Sequence, residues 1–159
     1  MSRRARFLVI IVASGLLALA VGMSLYLRRA ATFAAETDRS SYHPGEPVGI
    51  WVLLKVGGNT PTTVLWDGCE VSFTVADEGR EVIGPSPFTL ACWGLSGKAP
   101  IVLQPGQDIG AHFTWNQETT SGSPVAPGHA YEIRPIMTSD FVQSNDSSLS
   151  TVSAWISIG

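Results

Sequence analysis

Two cysteines, three histidines and a knot of acidic residues are where chemistry would have to sit in this 159-residue chain. Cys69 and Cys92 are its only cysteines. In an oxidising compartment such a pair reads first as a disulfide, with buried free thiols as the alternative and a metal or redox role as a third. Closing the loop between them would stabilise a domain by roughly 3 kcal/mol in the chain-entropy view, and would pin a stretch rich in glycine and proline. His43, His112 and His129, with the cysteines and Met137, supply the residue types of a copper site. Their spacing does not suit one, because a blue-copper site gathers its ligands closely and here each sits in a different segment. No metal is expected, and a histidine at a solvated edge is the plainer reading. Asp77, Glu78 and Glu81 lie together, but in a turn sequence where carboxylates are ordinarily solvated. Nucleophile-elbow, zinc-helix and phosphate-loop patterns do not occur. The expectation is a chain that binds rather than catalyses and needs no cofactor. Asn145-Asp146-Ser147 matches a glycosylation acceptor triplet.

What positions these residues starts with a membrane. Phe7 to Leu27 carries no charge, enough helix at about 1.5 Å per residue to cross a hydrocarbon core of about 30 Å. Arg3, Arg4 and Arg6 precede it and Arg28 and Arg29 follow, so residues 1-6 are expected in the cytoplasm and the remainder outside. The apolar run is longer than a usual signal-peptide core and ends in an arginine pair, which favours an uncleaved signal anchor over a cleaved secretory signal. Ser14, Ala18 and Gly22 recur every four residues and would form a close-packing helix face. Residues 28-36 read as a tether, and 37-159 as one extracytoplasmic domain. All 13 acidic residues lie from Glu36 onward, whereas half of the 10 lysines and arginines flank the apolar run. The domain is therefore strongly acidic, and nucleic acid is not an expected partner.

Beyond the tether the pattern has a period of two. Val48, Ile50, Val52, Leu54 and Val56 alternate, with Trp51 and Leu53 making the opposite face partly apolar, as a central strand would. Thr62 to Trp66 resumes after a Gly-Gly-Asn-Thr-Pro break. Val71, Phe73 and Val75 alternate ahead of a hairpin turn at Asp77-Glu78-Gly79-Arg80. Ile109, Ala111, Phe113 and Trp115 alternate again, as do Tyr131 with Ile133, and Val152 through Ile158 in one last strand. Three Pro-Gly pairs, Pro44-Gly45, Pro105-Gly106 and Pro127-Gly128, mark type II turns: proline presets φ and glycine accepts the positive φ that follows. With no sustained 3.6 periodicity after residue 35, about seven to nine strands predict an all-β sandwich. Trp66 and Trp115 are expected in its core.

The order Tyr42-x-Pro44-Gly45-Glu46-x-Val48, then Asp77 to Val82, then Leu103-x-Pro105-Gly106-Gln107, Phe113-x-Trp115 and Pro127-Gly128-x-x-Tyr131 resembles the BsuPI family, the intracellular proteinase inhibitor domain. The resemblance implies an immunoglobulin-like β-sandwich and, for the family's founders, inhibition of a subtilisin-type serine protease. The membrane anchor and the cysteine pair depart from that cytosolic pattern. Residues 84-100 read as a long irregular loop presenting Phe88, Trp93 and Leu95 to a protein partner, with Trp93 either an interface anchor or a cap on the core. The partner expected is a membrane complex, to which this chain is an accessory subunit, or alternatively a serine protease. The place expected is the cell membrane, with the C-terminal domain outside the cytoplasm.

Overall fold

A computed structural model describes residues 31–66, 71–83, 99–137 and 149–159. Within them lie β1 (Ala31–Thr37), β2 (Ser41–Tyr42), β3 (Val48–Val56), β4 (Thr62–Trp66), β5 (Val71–Asp77), β6 (Arg80–Ile83), β7 (Ala99–Leu103), β8 (Asp108–Trp115), β9 (His129–Met137), β10 (Leu149–Val152) and β11 (Ala154–Ile158). The expected alternation of β3 is what folds it: Val48, Ile50, Val52, Leu54 and Val56 are all buried on one side. Each such side chain contributes about 1.5–3 kcal/mol on leaving water.

These strands form a four-stranded sheet in the order β10-β1-β3-β8, a five-stranded sheet in the order β2-β11-β9-β5-β6, and a two-stranded ribbon of β4 and β7. The two larger sheets share one core that runs from Phe33, Ile50 and Leu54 to Phe73, Tyr131, Ile133, Ile156 and Ile158. Aromatic pairs cross between the sheets, Phe73 with Phe113 at 5.3 Å between ring centres and Trp115 edge-on to Tyr131 at 5.9 Å. The all-β sandwich is thus built from the chain's own ladders.

The turns behave as their residues dictate. Gly45, Gly106 and Gly128 all take positive φ, at 79°, 84° and 82°, and the first two turns close with His43 O to Glu46 N and Gln104 O to Gln107 N bonds of 3.0 Å each. At the tip of the β5-β6 hairpin Glu78 and Gly79 both have positive φ, the mirror-image turn that matches strand twist.

Three expectations need correction. Residues 31–36 are not a tether: they lie in β1, which pairs antiparallel with β3 over its whole length and buries Ala31, Phe33 and Ala35 in the core. A run of alanines has little strand propensity of its own, so its place is decided by the neighbours it packs against. The last strand is two strands: β10 runs parallel to β1 in one sheet, and after Ser153 the chain enters the other sheet, where β11 pairs antiparallel with β9. The irregular stretch ends earlier than expected, since Ala99 and Pro100 already belong to β7. Pro100 is tolerated there because β7 pairs on one side only. Among the described residues the strands number more than the nine expected, as these changes require. Trp115 is buried and Trp66 half-buried against the core.

Candidate functional site

Since alternate residues of β3 point inward, the others define the outer face of the four-stranded sheet. Register sets the rows on that face as Thr32, Lys55 and Asp108; Ala34, Leu53 and Gly110; Glu36, Trp51 and His112; then Gly49 and Thr114. Val152 of β10 stands beside Ala34. Trp51 is 36% exposed and its ring lies on the imidazole of His112, 4.5 Å between centres. Val152 is 49% exposed, whereas Ala34 between it and Leu53 is buried although it points outward. A Cβ on Gly110 would fall 2.7 Å from Leu53 Cδ2 and 2.0 Å from the Val52 carbonyl oxygen. Gly110 therefore lets β8 approach β3 closely, with Leu53 lying across it. The result is an apolar strip, Trp51, Leu53, Ala34 and Val152, rimmed by the Lys55 and Glu36 ion pair and by Asp108.

One end of this face is closed by a hydrogen-bonded cluster. Asp38 Oδ1 accepts from the Tyr42 hydroxyl at 2.5 Å and from Gly49 N at 3.1 Å, and Oδ2 accepts from Arg39 Nε at 3.3 Å. The Tyr42 bond above all holds the Asp38 carboxyl below its ordinary range. Burial, and then that same partner, push the Tyr42 hydroxyl up to about 12. A carboxylate engaged by three donors is an anchor for the chain rather than a free base. Glu46 accepts from His43 N and from Arg39, and both bonds lower its pKa.

Gln117 ties this end to the segment after β8. Only 2% exposed, it accepts from Gly45 N at 2.8 Å and donates through Nε2 to His43 O at 2.9 Å and Glu46 O at 2.7 Å. Its own carbonyl takes the Val125 N–H at 2.9 Å. Residues 116–127 are thereby folded into a small closed hairpin, with Glu118 bridging Pro124 and Thr120 N bonded to Val82 O. Nothing local signals this role, because the partners of Gln117 lie more than seventy residues away.

The three histidines are separate. His43 stands at the turn, His112 under Trp51, and His129 Nδ1 lies 2.9 Å from Asp77 Oδ2 on the other sheet. Met137 is at the end of β9. Among the described residues no three His, Cys, Asp or Glu side chains converge as metal ligands. Glu78 and Glu81 remain exposed beside the hairpin tip. The other sequence candidates, Cys69 and Cys92, the loop residues Phe88, Trp93 and Leu95, the helix positions Ser14, Ala18 and Gly22, and Asn145, lie outside the described residues. Trp51 is the site residue that sequence reasoning passed over: its signal was a tryptophan on the outward phase of a strongly alternating strand.

No family model matches the chain, and no curated protein matches it. Solved structures are similar at low identity. A CARDB domain from Pyrococcus furiosus matches at 14% identity with a TM-score of 0.42, over 80% of this chain and 91% of that one. The sporulation control protein Spo0M of Bacillus subtilis matches at 14% and 0.41, over 81% of this chain and 49% of Spo0M. A β-glucosidase from Erythrobacter marinus matches at 16% and 0.41, but over only 15% of the enzyme's length. At such scores these likenesses carry no functional argument.

Proposed function

We propose that this chain is a membrane-anchored, extracytoplasmic immunoglobulin-like module that binds a protein partner, as an accessory subunit of a membrane complex. The observation that carries the binding reading is the strip headed by Trp51, a large aromatic on a central strand whose ring lies tilted against His112, 4.5 Å between centres. An aromatic already fixed in place loses little entropy on binding, and tryptophan leads among interface hot spots. The immunoglobulin-like assignment is supported by Tyr131, whose hydroxyl donates to Ala126 O at 2.7 Å. That bond has the form of the tyrosine corner at the start of a sandwich strand. The uncharged run Phe7 to Leu27 supports the anchor. The test is partner recovery from native membranes with Trp51→Ala beside the wild type: loss of the partner at unchanged thermal stability supports the reading, and full retention counts against it.

The second reading is an envelope serine-protease inhibitor of BsuPI type. Besides the sequence resemblance, it is favoured by the closed 116–127 hairpin, since an inhibitory segment must be rigid before it meets the protease. Stoichiometric inhibition of a subtilisin-type protease by the full-length protein would support it, and rapid cleavage within the hairpin would end it.

A further inference from the structure

The membrane reading and the position of β1 together constrain how the sandwich sits. If Phe7 to Leu27 crosses the bilayer, Arg28, Arg29 and Ala30 alone separate it from β1. Three residues reach at most about 10 Å. Ala31 pairs with Val56 and with Leu149. Val56 is bonded in turn to Gln107 O at 2.9 Å and Gly106 N at 2.8 Å, so turns 57–61 and 104–107 lie at the same end of the molecule as Ala31.

We infer that the domain stands on the lipid head groups by this end, with the 57–61 and 104–107 turns as its footing, and holds the Asp38, Tyr42 and Gln117 cluster away from the membrane. The inference rests on the anchored reading above. The 57–61 and 104–107 turns contain no acidic residue, and Asp108, which follows the second, stands opposite Lys55. Anionic head groups attract the flanking Arg28 and Arg29. A sandwich lying flat on its Trp51 face would press Glu36 and Asp38 as well as Asp108 into the head groups. Upright, the nine residues of β3 separate the two ends by about 27 Å, and the Trp51 strip faces sideways toward the ectodomain of a neighbouring membrane protein.

The orientation has a second consequence. Eight-residue β8 is an edge of its sheet. Antiparallel pairing of two β8 strands would invert one copy end for end, which two short anchors in one bilayer forbid.

The experiment places a fluorescent amino acid at Asn59, His43 or Thr114 of the full-length protein. Each variant is reconstituted in vesicles of phosphatidylethanolamine and phosphatidylglycerol containing a head-group spin-labelled lipid. The expected result is quenching of at least about twofold at position 59 and none at 43 or 114, positions roughly 20 Å or more along the strands from the footing. Quenching at 114 would mean a sandwich lying flat, and quenching at 43 an inverted one. Absence of quenching at 59 in protein that still floats with the vesicles would overturn the footing and leave the anchor standing. Protein that does not float with the vesicles would remove the anchor and the inference together.

Discussion

The two outer faces of the sandwich each expose a tryptophan, and they differ in the company it keeps. Trp51 lies against His112, with Glu36 opposite it on β1 and Leu53 beyond it on β3, and the adjoining row of Leu53, Ala34 and Val152 is apolar. Trp155, on the five-stranded sheet, is the more exposed at 58%, yet it faces Glu132, which is held at 2.6 Å by Arg134. That ion pair lowers the pKa of Glu132 and keeps a charge beside the ring. A solitary surface aromatic needs no functional explanation, whereas a contiguous apolar strip does. Both tryptophans face an ion-paired glutamate, so the proposed reading rests on the apolar row beside Trp51 and not on exposure.

The largest expected effect removes the Trp51 face altogether. Gly110→Ala drives a methyl to 2.0 Å from the Val52 carbonyl, so β8 must move off β3. A loss of about 3 kcal/mol in urea unfolding is expected, together with loss of partner binding. Gln117→Ala should cost about 2–3 kcal/mol, since it leaves Gly45 N, His43 O and Glu46 O without their buried partner. It leaves both tryptophan faces in place, so partner binding should survive below the lowered melting temperature. Trp51→Ala should weaken partner affinity by about 2 kcal/mol, near thirtyfold, with little change in stability. Trp155→Ala in the same titration should change affinity by less than about 0.5 kcal/mol.

A pH dependence is expected at the end of the Trp51 face. The folded pKa of Tyr42 is raised from 10.0 to about 12, so its contribution to stability is present below pH 10 and lost as pH rises from there toward 12. Asp38 has the opposite sign. Its folded pKa is lowered from 3.8, so its contribution is present above that value and lost as pH falls through the folded pKa. Thermal melts of Tyr42→Phe should show a flatter alkaline limb than the wild type, and those of Asp38→Asn a flatter acid limb.

The parts of this account legible in the sequence are those governed by local rules. The alternation from Val48 to Val56 and the Pro-Gly turns follow from side-chain period and permitted φ, and both appear as expected. Residues 31–35 were opaque because Ala-Thr-Phe-Ala-Ala has no strong strand signal, and pairing with β3 on one side and β10 on the other gives it structure. The split at Ser153 was hidden because Val152, Ala154, Ile156 and Ile158 keep one phase while the partner sheet changes. Gln117 is a polar residue in a polar stretch until the chain folds. Trp51 was visible as an outward tryptophan, but its pairing with His112 depends on the β3-β8 register.

Photo-crosslinking from the two tryptophan positions tests the central claim most directly. With p-benzoylphenylalanine at position 51 or position 155 of the full-length protein in its native membranes, the account predicts one dominant adduct with a membrane protein from position 51 and none from position 155. The same adduct from both positions in equal yield, or from position 155 alone, would contradict it.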